Sequence, residues 1–153
     1  MRRFADLFQR LDRSTATNDK LAALVDYFRD TPPEDAVWGL WLLSGGKVGG
    51  AKARIASSTE LRAWIAEETD NPAWLVDASY DQVGDLAETL ALLMPEPTEA
   101  HHDLGLAEWV QERLGPIANA DLPLRREVVV TAWRTLPFAQ RLVFNKLLTG
   151  ALR

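Results

Sequence analysis

The sequence predicts an all-α protein of eight or nine helices in a single globular domain. Apolar residues recur at spacings of three and four along most of the chain, which is the period of one helix face. No segment alternates apolar and polar residues as a half-buried strand does. Clusters of proline, glycine and hydroxyl residues divide the chain into pieces of helix length, and 153 residues suit one domain.

Composition excludes several classes of protein. The absence of cysteine removes disulfides, cysteine zinc sites and thiol nucleophiles together. The sequence contains no run of 18 apolar residues, so no membrane-spanning helix is predicted. The N-terminus lacks the uninterrupted apolar core of a signal peptide. We therefore expect a cytoplasmic protein without a membrane partner.

Three helices are predicted in the first third of the chain. The stretch from Ser14 to Asn18 is rich in capping residues, so it separates the first helix from the second. A third helix follows Pro32 and is apolar on nearly all sides, which predicts a central position. The apolar residues expected to pack in the first two helices are Phe4, Leu7, Phe8, Leu11, Leu21, Leu24, Val25 and Phe28.

A basic, glycine-rich segment follows the third helix. It runs from Gly45 to Arg54 and contains four glycines and three cations, Lys47, Lys52 and Arg54. It does not match the P-loop pattern. Two interpretations stay open, a loop that offers backbone N–H groups and cations to a phosphate backbone, and a surface loop without a ligand.

The middle of the chain predicts four further helices. Ser57 and Glu60 form a capping box ahead of one helix, and Pro72 opens a short second one. Asp85 and Glu88 lie in the first turn of a third, where acidic residues complement the helix dipole. The fourth spans Leu106 to Leu114.

Two helices are predicted at the end of the chain. The last one follows Pro137 and has an apolar stripe, whereas Arg141, Asn145 and Lys146 lie off that stripe and are expected to face solvent or a partner. Gly150 is placed to end this helix with a positive φ. The abrupt end after it is what we expect of a domain cut from a longer protein. The stripe consists of Phe138, Leu142, Val143, Leu147 and Leu148.

The last hairpin repeats a pattern found near the beginning. Pro137 lies 105 positions after Pro32, and Thr149-Gly150 lies 105 positions after Ser44-Gly45. That spacing is too long for a solenoid. It fits a domain of two pseudo-twofold related halves, while two unrelated helical hairpins would also share part of the pattern.

Charge is unevenly distributed along the chain. The net charge is −5, yet the segment from Thr59 to Glu112 holds 13 acidic residues and one basic residue. The remainder holds 16 basic and 9 acidic residues. Such a split can place a basic face on an acidic protein, or it can produce two solvated surfaces without a partner.

No catalytic motif is present. The Gly-x-Ser-x-Gly pattern and the dinucleotide fingerprint are absent. His101 and His102 are adjacent and have no third ligand nearby in sequence; a metal-dependent hydrolase that uses this pair is one alternative. A second alternative is an acidic helical protein-interaction domain whose binding depends on Asp85 and Glu88.

Four stretches, in this order and spacing, carry a family resemblance. They are Arg2 to Phe8 with Asp12 to Lys20, Trp38 to Ser44, Ser79 to Thr89, and Phe144 to Arg153. Together they resemble the N-terminal helical DNA-binding domain of ATP-dependent DNA ligases, particularly the bacterial multidomain type. The resemblance covers essentially the whole chain.

The resemblance implies a domain that grips the minor groove of nicked double-stranded DNA during nick sealing in repair and replication. Adenylation and OB-fold domains with a Lys-x-Asp-Gly nucleophile would follow it. That motif is absent here, so we expect the chain to be inactive alone and to hold no cofactor, with ATP and Mg²⁺ used by the catalytic domain.

The family's hydroxyl-Gly-x-x-Arg segment contacts backbone phosphates, which matches Thr149, Gly150 and Arg153. The segment from Gly45 to Arg54 departs from the family, which we expect to be richer in arginine and proline there. Contacts through phosphates would be independent of sequence and sensitive to salt. The complete set of expected DNA contacts is Lys20, Lys47, Lys52, Arg54, Lys146, Thr149, Gly150 and Arg153.

Overall fold

The computed structural model describes residues 1–50, 55–99, 103–150 and 152. Within these ranges the chain forms helices and connecting turns and no β-strand, which confirms the all-α prediction. No helix among the described residues combines the length and hydrophobicity needed to cross a bilayer. Five residues named above lie outside the described ranges, namely Lys52, Arg54, His101, His102 and Arg153.

Nine α-helices are found in the described part of the chain. The seventh is a single turn that continues as a π-helical turn, Trp109–Leu114, and a 3₁₀ turn, Gly115–Ile117. The helices are α1 (Arg2–Arg13), α2 (Thr17–Asp30), α3 (Pro33–Leu43), α4 (Ser58–Thr69), α5 (Ala73–Val83), α6 (Leu86–Leu93), α7 (Leu106–Glu108), α8 (Leu122–Thr135) and α9 (Phe138–Thr149).

Local sequence chemistry fixes several helix ends as predicted. The Ser57 hydroxyl accepts from the Glu60 N–H while the Glu60 carboxylate accepts from the Ser57 N–H, which completes the capping box. Asp85 caps α6 by accepting from the Glu88 N–H at 3.0 Å. Gly150 ends α9 with φ 69°, a left-handed conformation that glycine adopts without steric cost.

Helix α9 lies at the centre of the fold and packs against α6 and α1. The prediction that Arg141 and Asn145 face solvent or a partner is wrong, because both side chains are fully buried. A polar residue can occupy such a site only if its hydrogen-bonding groups find partners inside the protein.

The Arg141 guanidinium finds these partners at two helix ends. It donates four hydrogen bonds of 2.7–2.9 Å, and burial lowers its pKa from the usual value. A cation at helix C-termini is favourable because the last carbonyls carry partial negative charge. The acceptors are the carbonyls of Ala91, Met94 and Pro95 at the end of α6 and of Leu136 after α8.

Asn145, one turn after Arg141 along α9, also forms buried hydrogen bonds. Its Oδ1 accepts from the Trp133 indole N–H at 2.6 Å, and its amide donates to the Ala87 carbonyl at 3.1 Å. The apolar periodicity of a helix cannot distinguish a buried, hydrogen-bonded polar residue from an exposed one. It therefore assigns both to the solvent-facing side.

The first hairpin is more exposed than the sequence predicts. Helix α3 is peripheral rather than central, and three of its large apolar residues are exposed. Helix α2 buries Ala23 and Tyr27 instead of the predicted stripe. Burial raises the pKa of Tyr27 to about 12. The exposed apolar residues of this hairpin are Leu21, Val25, Phe28, Val37, Leu40 and Trp41.

The separation of charge along the sequence is partly offset in the fold. Three arginines of α8 pair with three glutamates of α4, so part of the basic remainder lies against the acidic segment. The acidic segment is therefore not a free surface of one sign. The pairs are Arg125–Glu60, Arg126–Glu67 and Arg134–Glu68, at 3.2, 2.8 and 2.5 Å.

Candidate nucleic-acid interface

The packing of α9 brings several helix ends to one side of the molecule. Arg141, early in α9, reaches the end of α6, and Lys146, late in α9, reaches Asp85 at the start of α6, so these helices are antiparallel. Phe8 of α1 lies under Lys146, and Arg2 lines a cavity with Pro137, so α1 and α9 run in the same direction. The ends of α1 and α9 and the start of α6 therefore share one side.

A cavity of about 200 Å³ lies where α3 and α9 end. Gly45 and Lys47 of the loop after α3 line it, together with Lys146 and Gly150 of α9. A β-carbon added at Gly150 would lie 3.5 Å from the Lys47 side chain, so the two segments are in contact. Two lysines and no acidic residue line this cavity.

A second cavity of about 330 Å³ lies on the other side of the last turn of α9. Thr149 and Gly84 line it with Ser58, the first residue of α4, and with Tyr80 of α5. The N-terminal ends of α4 and α6 thus border this cavity, and helix N-termini carry partial positive charge. We call the residues that line the two cavities the helix-end face.

The Lys146 ammonium is held by Asp85 within the helix-end face. Lys146 Nζ lies 3.0 Å from Asp85 Oδ2 and 5.6 Å from the centre of the Phe8 ring. Burial acts to raise the pKa of Asp85, but the Glu88 N–H and Lys146 outweigh it and leave that pKa below its usual value. The Asp85 carboxylate is therefore ionised at neutral pH.

The glycines after α3 use their N–H groups within the loop itself. The Gly45 N–H donates to Leu42, the Gly46 N–H to Trp41 and the Gly50 N–H to Lys47, each to a backbone carbonyl at 2.9–3.0 Å. These three N–H groups are engaged, so the loop would reach an anion through the exposed Lys47 side chain.

Four of the eight expected DNA contacts come together in this arrangement. They are Lys47, Lys146, Thr149 and Gly150, which come from two hairpins far apart in sequence. Lys20 is exposed in the first turn of α2, at the same end of the molecule, but lines neither cavity. Lys52, Arg54 and Arg153 lie outside the described residues.

Sequence analysis missed Ser58 and Tyr80 as members of this face. Ser58 stood inside a capping box, and Tyr80 stood beside Asp81 in a short helix and within the Ser79 to Thr89 stretch. Neither residue type carries a phosphate-binding signal of its own. They are recognised only because α4, α5 and α9 end or begin around the same cavity.

The helix-end face differs electrostatically from the other grooves. The groove between α1 and α2 is lined by Arg3 and Arg10 but also by three aspartates, Asp6, Asp26 and Asp30. At the helix-end face Lys47 is exposed, and within the described ranges it forms no ion pair. An anionic ligand meets less repulsion at the helix-end face.

Both alternative functions find limited support in the described residues. No group of three histidine or carboxylate side chains within the described ranges converges as a metal site would require, and the two histidines lie outside them. Six acids of the acidic segment are engaged in ion pairs. They are Glu60, Glu67, Glu68, Asp77, Asp85 and Asp103.

The described helices gather glycine-ended termini and lysines on one face, an arrangement that suits an anionic ligand. The protein is a member of the DNA ligase N-terminal domain family, because the family model described as DNA ligase N terminus matches residues 1–153, the whole chain. A comparison with curated proteins finds no significant match. Family membership supports a DNA-binding role within a ligase.

Proposed function

We propose that the protein binds nicked double-stranded DNA through backbone phosphates at the minor groove, as the N-terminal domain of a bacterial ATP-dependent DNA ligase. The convergence of the α3 and α9 ends on one cavity, where the exposed Lys47 lies beside Gly150, is the observation that carries this proposal. Phosphate contacts carry no base sequence, which suits an enzyme that seals nicks wherever they arise in repair or replication.

The two helix ends suit a phosphate backbone for steric as well as electrostatic reasons. Gly150 lacks a side chain at the surface of α9, so a phosphate can approach the peptide closely. Lys47 lies beside it and supplies an exposed cation. Ser58 and Thr149 add hydroxyl groups at the neighbouring cavity. Lys20, Lys52, Arg54 and Arg153 extend the proposed contact set.

In this proposal the chain is the 1–153 DNA-binding domain, and its partners are the adenylation and OB-fold domains of the same ligase. Those domains would supply the Lys-x-Asp-Gly nucleophile and use ATP and Mg²⁺ in the cytoplasm. The domain itself would contribute binding and no bond-making group. Its affinity for DNA would be modest, since few cations of the helix-end face are unpaired.

A salt titration tests the proposal. Anisotropy of a labelled nicked duplex is measured with the wild-type chain, Lys47→Gln and Arg113→Gln over a series of salt concentrations. Arg113 is an exposed cation beside the cavity at the opposite end of α9, so it is the matched control.

We expect log affinity to fall linearly with log salt, with a slope shallower by ~0.9 in Lys47→Gln because one phosphate contact is lost. Arg113→Gln should behave like the wild type. Absence of binding at low salt, or equal slopes for wild type and Lys47→Gln together with a shallower slope for Arg113→Gln, would contradict the proposed interface.

A further inference from the structure

Lys146 differs from Lys47 although both line the same cavity. The Lys146 side chain is only 12% exposed, and its ammonium lies between the Asp85 carboxylate and the face of the Phe8 ring. Lys47 is exposed and extends along Gly150. One lysine is thus held by the protein, whereas the other is available to a ligand.

Asp85 is itself fixed by the beginning of α6. One carboxylate oxygen accepts from the Glu88 N–H at 3.0 Å, and the other accepts from Lys146 at 3.0 Å. The ion pair therefore joins the first turn of α6 to the last turn of α9. That link places Gly84 and Thr149 on the walls of one cavity.

If the Lys146 ammonium left Asp85 and bound a DNA phosphate instead, it would gain little free energy. The ammonium would give up one anion and one aromatic face in order to gain another anion. Asp85 would then be left with its charge unpaired beside the negative DNA backbone, which costs free energy. Lys47 faces no such exchange.

We propose that Lys146 is a positioning residue rather than a phosphate contact. Its ion pair with Asp85 holds the Gly84–Asp85 turn against Thr149, and phosphates bind to the groups that are aligned in this way. This inference rests on the proposed function, because it assigns roles within the same DNA-binding face.

Charge-neutral substitution of the pair separates the two roles. The variants are Lys146→Gln, Asp85→Asn and the double variant, with Lys47→Gln as the reference for a lost phosphate contact. Asparagine is a good N-cap through its side-chain oxygen, and its amide N–H can then donate to the side-chain oxygen of the introduced glutamine, so the double variant can replace the ion pair with a neutral hydrogen bond.

We expect Lys146→Gln to bind nicked duplex several-fold more weakly with the salt slope of the wild type, and the double variant to recover most of that affinity at the same slope. If the slope of the double variant is shallower by ~0.9, as in Lys47→Gln, the inference about Lys146 is overturned while the proposed function stands. If the wild-type chain does not bind nicked duplex at low salt, both the proposed function and the inference are overturned.

A second measurement uses the unaltered sequence and so does not depend on a variant that folds. In ¹⁵N-labelled wild-type protein, the side-chain ammonium signal of Lys47 should shift on titration with nicked duplex, while that of Lys146 should stay in place. A larger shift at Lys146 than at Lys47 would overturn the inference.

Discussion

The α2–α3 hairpin and the α8–α9 hairpin share their local conformation. Both pass through an extended residue into proline, with ψ 138° at Thr31 and 136° at Leu136. Both are followed by glycine with positive φ, 100° at Gly45 and 69° at Gly150. In both, the hydroxyl before that glycine donates to the carbonyl four residues earlier, at 2.7 and 3.2 Å.

Their surroundings are nevertheless opposite. At positions 105 residues apart, Leu40 is 56% exposed whereas Asn145 is fully buried, and Phe28 is 37% exposed whereas Trp133 is fully buried. An apolar residue lies at the surface and its polar counterpart lies in the core. Local residues therefore set the course of the chain, while the helices packed around each hairpin decide which faces are covered.

Arg141 should show the largest effect of this difference in burial. Replacing it with methionine removes four donors from buried carbonyls at the ends of α6 and α8. We expect the free energy of unfolding to fall by about 3–5 kcal/mol in urea denaturation, as when a buried charge network loses one partner. Arg126→Met, which breaks an exposed pair with Glu67, should cost at most about 1 kcal/mol. Equal effects of the two substitutions would contradict the account.

The next largest change in stability is expected when the residue types at the equivalent positions Leu40 and Asn145 are exchanged. Asn145→Leu leaves the buried Trp133 N–H without its partner and removes one donor from the Ala87 carbonyl, which should cost about 1–3 kcal/mol because that is the cost of one buried unsatisfied group. Leu40→Asn lies on the exposed side of α3 and should change stability by less than about 0.5 kcal/mol. The comparison breaks down if Leu40→Asn proves the more destabilising in thermal or urea unfolding.

The shared glycine ends should respond alike. Gly150→Ala would place its β-carbon at ordinary van der Waals distance from the Lys47 side chain, so its cost of about 1–2 kcal/mol comes from the left-handed backbone conformation. Gly45→Ala should cost at least as much, because φ 100° lies further from the region that alanine tolerates. Urea unfolding of both variants measures this, and a neutral Gly45→Ala would show that the two hairpin ends are not equivalent.

The smallest expected effect is the acid dependence of the link between α8 and α4. The Ser57 N–H and the Arg125 guanidinium lower the pKa of Glu60 despite burial, which acts to raise it. Stabilisation from this carboxylate is therefore present above its unfolded pKa of about 4.3 and is lost as the pH falls through the lower folded value.

Glu60→Gln keeps the capping box but removes that titration. Its free energy of unfolding should fall less steeply than that of the wild type between about pH 5 and pH 3. Asp30→Asn is the control, since Asp30 pairs with Arg29 at the surface, both side chains are exposed, and the change should alter the slope less. If the free energy of unfolding of Glu60→Gln falls with pH as steeply as that of the wild type, Glu60 is not the source of this acid dependence.

Sequence reasoning predicted the helical class and the helix ends because these depend on residues close together in the chain. Capping residues, prolines and Gly150 carry their own conformational preferences. The buried polar contacts of Arg141 and Asn145 were mispredicted, since their partners lie on α6 and α8 and no local pattern reveals them. The same reason explains why Ser58 and Tyr80 were missed at the candidate site.

Amide chemical-shift mapping with nicked duplex DNA tests the central claim most directly, because it asks which part of the protein meets the DNA. The account predicts that the largest shifts fall at both hairpin ends, near Gly45–Val48 and Thr149–Gly150, and at Ser58 and Gly84. Residues at the opposite end of α9, such as Arg113 and Gln140, should be unaffected. Shifts confined to that opposite end, or to the exposed apolar residues of α2 and α3, would contradict the proposed interface.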